Sequence, residues 1–182
     1  MGQRKLQKYA AVNSLRCNPF SFSMDPTTLV STFNALPRNK VSPSGSVPNH
    51  WHISLRQVPL DPPGHLLFII SPASRYVHVE GPLPPDYSTA STEVKATAVS
   101  MLLLKAFNDG LGAGGEGGNI GRPWSWVCED AESAGAVGEM LRGMGVVAPK
   151  GVGVAEKEEN VIADGEWRGF FERLNNQVRV CQ

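Results

Sequence analysis

Large apolar residues recur along this chain with two different periods, and each change of period marks a new element. Leu29, Val30, Phe33 and Leu36 stand at helical spacing behind Asp25-Pro26. An Asp cap followed by Pro at the first helical position is a start signal, so a helix is predicted over 26–36, closed by Pro37. Residues 37–50 (PRNKVSPSGSVPNH) hold Pro, Ser and Gly with almost nothing to bury, and read as a linker. From Trp51 to Val58 apolar and polar residues alternate, the pattern of a half-buried strand. After the turn Asp61-Pro62-Pro63-Gly64, the apolar run Leu66–Ile70 predicts a buried strand. A third strand holds Tyr76, Val77 and Val79 and stops at Gly81-Pro82. Short connections between three strands suggest an antiparallel meander.

A strongly apolar helix follows, capped by Ser91 or Thr92, with Glu93 placed to complement its dipole. Gly110–Gly121 is a low-complexity loop, and 124–128 is a fourth strand. Asp130 caps a helix over 131–143 that Gly145 ends. Val146–Ala148 is read as a short fifth strand. Residues 149–163 look exposed and acidic. Asp164 is read as the cap of a last helix carrying Trp167, Phe170, Phe171 and Leu174 at i, i+3, i+4 and i+7. The order is β-β-β-α-β-α-β plus a C-terminal helix. That predicts an α+β fold with a mixed sheet in RNase H-like order; a ferredoxin-like or other α+β sandwich is the alternative. The division expected is a basic arm with one helix at 1–49 and a single α+β domain at 50–182.

Charge sharpens that division. The chain has 182 residues with 17 basic and 17 acidic side chains. Residues 1–60 hold seven bases and only Asp25, so the first third is about +6 and the rest about −6. This excludes a uniformly basic nucleic-acid coat and a uniformly acidic tail. A composition 41% hydrophobic argues against wholesale disorder. No apolar run reaches the roughly 18–20 residues of a membrane span. Cys17, Cys128 and Cys181 are far apart and odd in number, which points away from a disulfide scaffold and toward a reducing compartment. Residues 1–24, with Arg4, Lys5, Lys8 and Arg16 and no acid, fit a basic terminal arm of a cytoplasmic or nuclear protein. A mitochondrial transit peptide is the alternative. The Gly2 context lacks the Ser or Thr that N-myristoylation wants at position 6.

The fold order raises nuclease chemistry, which needs several carboxylates around two metal ions. Glu93, Glu129, Asp130 and Asp164 are the candidates, yet the first strand, 51–58, has no acid. His50 and His52, two apart on a strand, could begin a metal site with His65, His78 or Cys128. The simpler expectation puts His52 and His78 on the wet face of the sheet. Gly112–Gly117 spells GxGxxG, but it follows a helix and precedes a strand, the reverse of a dinucleotide site. No phosphate loop and no GxSxG elbow exist, so no cofactor is expected. Trp124 and Trp126 share a strand face. With Arg122 the only base nearby in sequence, core packing is preferred to nucleic-acid stacking. Trp167, Phe170 and Phe171 either dock on the sheet or engage a partner groove.

Four segments carry a further resemblance: HWHISLRQVPL, HLLFIISPASRYVHVEG, TEVKATAVSMLLLKAF and GRPWSWVCEDAESAGAVGEMLRGMGV. Through them, residues 51 to about 174 resemble an α/β domain found alone in bacteria and beside MYND-type zinc fingers in fungi and plants. No MYND finger is present, because that module needs more Cys and His ligands than this chain holds. The resemblance implies an accessory or interaction domain without an established activity. The expected function is therefore a non-catalytic module that binds a protein partner, with no membrane and with nucleic acid reached only through the arm. The alternatives are a metal-dependent hydrolase with a rearranged carboxylate set, and an organellar protein docked on an RNA-rich assembly.

Overall fold

The computed structural model describes residues 25–42, 45–59, 64–83, 86–112, 121–148 and 150–180, with side chains through 176. Arg4, Lys5, Lys8 and Arg16, and most of the GxGxxG run, lie outside the described residues. The fold is α+β. Five strands form one mixed sheet: β1 (His50–Val58), β2 (Gly64–Ser71), β3 (Tyr76–Glu80), β4 (Ser125–Cys128) and β5 (Gly153–Val154). Their order is β3-β2-β1-β4-β5. β2 runs antiparallel to β1 and β3, while β4 and β5 run parallel to β1. An α+β fold with a mixed five-strand sheet and a C-terminal helix is what the sequence predicts.

Three helices cover one face: α1 (Pro26–Ala35), α2 (Thr92–Asn108) and α3 (Ala131–Gly143). Each starts on a side-chain cap. Asp25 accepts from Thr28 N, Ser91 from Val94 N and Asp130 from Ser133 N, satisfying amides the first turn leaves open. The main core lies beneath them. Phe33 stacks on Trp126 at 5.8 Å, and Phe107 meets Phe33, Trp51 and Trp126 edge-on. α1, assigned to the arm on sequence, packs into this core through Leu29 and Phe33, each 1% exposed. The packed body therefore reaches back to Asp25. The linker masks this in the sequence, because its described Pro and Ser residues are not buried and only Asn49 within it is.

Two sequence assignments move. Val146–Ala148 is not a strand: Val146 N donates to Leu141 O in the helix C-cap, and Val147 N donates to Asn34 Oδ1 on α1. Pairing with Val127 and Cys128 falls to Gly153–Val154 instead. The last helix, α4 (Lys157–Val180), starts seven residues before Asp164. Its start signal is Glu159, whose Oε2 accepts from Glu156 N at 2.9 Å, half of a capping box. Asp164 lies inside the helix and caps nothing. α4 covers the other face of the sheet, where Phe68, Ile70, Val77 and Ala163 form a second cluster against Trp167.

Candidate functional site

β1 leads on to β2 on one side, and β4 leads through α3 to β5 on the other, so the connections diverge between these two parallel neighbours. Ligands of open sheets sit outside the carboxyl ends of the strands at such a point. A cleft of about 240 Å3 occupies that place. Its floor is Ile53, Leu55, Ala96, Val99 and Val137. Its rim carries Thr92 and Lys95 from α2, and Glu129, Asp130, Glu132 and Ser133 from the β4–α3 junction. The apolar floor comes from the alternate residues of β1 that face α2 and from the facing sides of α2 and α3; the acids come from the strand end, the cap and the first turn of α3.

The candidate carboxylates are mostly engaged. Asp130 accepts from Ser133 N at 2.8 Å and from Ser133 Oγ at 2.9 Å, the work of a cap. Arg56, at the carboxyl end of β1, lies 2.8 Å from Asp164 and 3.8 Å from Glu129. A basic side chain thus stands at the end of the acid-free β1 and pairs with two of the four candidates. Glu93 sits in the first turn of α2 and does not line the cleft. Among the described residues, no group of three His, Cys, Asp or Glu is arranged to hold a metal ion.

The histidines are not on a wet face. His52 is fully buried and His78 is 5% exposed. His52 Nε2 bonds Asn160 Oδ1 at 2.7 Å, and Asn160 donates onward to Glu129 O. Burial lowers the His52 pKa against the weaker opposing pull of Asn160 and nearby acids. His50 is bracketed by Ser125 Oγ at 2.8 Å and Glu159 Oε1 at 2.7 Å. That chain has the connectivity of nucleophile, base and acid. Ser125 and His50 are adjacent because they are register partners, and neither lines the cleft. Its evident work is to tie α4 to β1 and β4. His78 bonds Glu80 at 2.9 Å on the α2 side, with Lys105 beside Glu80; His65 stands near Tyr87. The four imidazoles do not converge.

Cys128 is buried, and desolvation with the nearby Asp130 charge pushes its thiol up to about 12. It is therefore protonated at neutral pH and no nucleophile. The C-terminal aromatic stripe docks on its own sheet. Trp167 and Phe170 pack on Phe68, Phe170 is buried, and Phe171 stacks on Trp167. Trp167 and Phe171 remain half-buried there.

Sequence reasoning missed one constellation. Trp124 is ringed by Arg38, Lys40 and Lys150. These cations come from the linker and from the loop after α3, so no local window around Trp124 contains them. No family profile, no curated protein and no solved structure matches the chain. Among the described residues, no helix is long and apolar enough to cross a membrane.

Proposed function

We propose that this chain is a non-catalytic accessory module that binds a protein partner at the cleft beyond β1 and β4. The observation that carries this reading is Arg56, which engages Asp164 and Glu129 at the strand end where metal-binding acids would have to gather. The capped Asp130 and the protonated Cys128 support it by removing the other reactive groups nearby. The cleft itself suits a side chain. It pairs an apolar floor with a rim of three acids and one lysine, which favours a partner segment carrying an apolar anchor beside a base. The resemblance to the MYND-associated domain agrees with an interaction role. The cysteine usage fits the cytoplasm or nucleus. A mitochondrial address through residues 1–24 is the second placement, tested by sequencing the mature N-terminus.

Two measurements test the function. A peptide array should return segments with an aliphatic or aromatic residue next to Lys or Arg. Binding should fall at least tenfold in Ala136→Trp, which fills the cleft from α3. The double variant Glu129→Ala/Asp130→Ala should lose about 1 kcal/mol of stability from the missing cap and weaken binding of the basic partner segment, because it removes two of the three rim acids. Cleavage of a nucleic-acid substrate by the native chain, abolished in that variant with the fold intact, would overturn the reading.

A further inference from the structure

At the opposite end of β4 the chain builds a surface of the opposite sign. Arg38 forms a β-bridge with Arg122. Arg122 N donates to Pro37 O at 2.7 Å. The two strands of chain meet so closely that Gly121, at φ +74°, has no room for a Cβ against Pro37 O. Buried Asn49 fastens the junction, donating to Asn39 O at 3.0 Å and to Arg122 O at 2.8 Å. Trp124 N donates to Asn49 O at 2.9 Å. Trp124 is thus a half-buried ring on a rigid frame.

Three cations surround that ring. The Arg38 guanidinium carbon lies 4.2 Å from its centroid, Lys40 Nζ 5.3 Å and Lys150 Nζ 5.6 Å. Arg38 is locked by bonds from Nη2 to Trp124 O and from Nε to Pro123 O. Its Nη1 has no partner among the described residues. Arg122 adds a fourth positive charge, donating to Leu36 O and Val147 O. None of the four has a carboxylate partner among the described residues. Yet residues 25–182 as a whole hold thirteen Lys and Arg against seventeen acids. Cations gathered against the sign of the body, with no carboxylate partner among the described residues, repel one another and leave a site that an anion relieves.

We infer that this patch binds single-stranded nucleic acid, its cations taking phosphates and its indole taking a base. The hollow beside Trp124 holds only about 10 Å3, too little for an enclosed ligand, so the surface suits a chain laid across it. An acidic peptide would use the cations alone. A strand with repeated phosphates and flat bases uses the ring as well, and that combination is how sequence-tolerant strand binding works. None of the patch residues belongs to the basic segment 1–24.

The test uses the full chain and fluorescence anisotropy with labelled oligo-uridylate and oligo-thymidylate of about 12 nucleotides. Salt is varied between about 50 and 200 mM. Lys40 and Lys150 are both exposed, so Lys40→Glu/Lys150→Glu leaves the core intact. It should weaken binding at least tenfold. It should also flatten the log–log salt dependence by about 1.4, near 0.7 for each phosphate no longer neutralised. Trp124→Ala should weaken binding roughly 5- to 100-fold, with Trp124→Phe restoring most of it. Both effects should persist when Arg4, Lys5, Lys8 and Arg16 are all alanine. The uridylate and thymidylate arms separate an RNA ligand from a DNA ligand. Unchanged affinity in both patch variants, at unchanged melting temperature, would overturn the inference and leave the arm as the only binding element. So would displacement of the oligonucleotide by polyglutamate at equal charge, with no effect of Trp124→Ala, which would identify an acidic protein as the ligand.

Discussion

The two sides of β1 are built on different physics. On one side Trp51, Ile53 and Leu55 point into the main core under α1, α2 and α3. On the other side His50, Ser54, His52 and Arg56 point toward α4, and three of these four reach it. His50 bonds Glu159, His52 bonds Asn160, and Arg56 bonds Asp164. The first side is held by burial, which is non-directional and indifferent to protonation. The second is held by oriented polar contacts, which specify how α4 sits but respond to pH and salt. One strand thus anchors both a robust half and a titratable half of the molecule. The same polar ladder ends in Arg56, which is why the strand-end carboxylates are engaged. The contact that helps lock α4 to β1 is the same one that engages Asp164 and Glu129.

Breaking the apolar side should cost most. Phe107 is fully buried and meets three other aromatic rings. Phe107→Ala should destabilise by about 3–5 kcal/mol in denaturant unfolding, with little change in that cost between pH 7.5 and about 5.5.

The polar side should reveal itself through pH. The folded His52 pKa lies below its ordinary value of 6.5 because of burial. Below that value the unfolded chain takes up a proton that the folded one resists. Stability therefore falls as pH drops from about 6.5 toward the folded pKa. Unfolding curves across this window should show a shallower loss for His52→Leu than for the native chain. An identical slope would place the pH sensitivity elsewhere.

The smallest effect belongs to the outermost rung. The Asp164 side chain is 51% exposed, so Asp164→Asn should cost below about 1 kcal/mol, and less still in high salt. A cost equal to that of Phe107→Ala would remove the distinction between the two sides.

Much of this architecture is legible in the sequence because it rests on local rules. The caps at Asp25, Ser91 and Asp130 and the switch from period two to period 3.6 place α1, α2, α3 and the first four strands. What is not legible depends on what lies opposite. The alternation at His52 reads as wet or buried with equal ease, and only α4 decides it. Asp164 has the composition of a cap, but Glu156 and Glu159 start the helix earlier and leave Asp164 to Arg56. The α1 helix looks detached because the linker after it is polar, although Asn49 and the Arg38–Arg122 bridge hold that linker down. The Trp124 patch is assembled from residues 38, 40, 122, 124 and 150, which only the tertiary structure brings together. The carboxylates are readable as residue types, but their engagement by Arg56 is not.

Calorimetric titration of the full chain with Mn2+ at neutral pH tests the central claim most directly. With Asp164 and Glu129 held by Arg56 and Asp130 held as a cap, no saturable heat should develop up to millimolar metal. A saturable site that disappears in Glu129→Ala would contradict the account and return the strand end to metal chemistry.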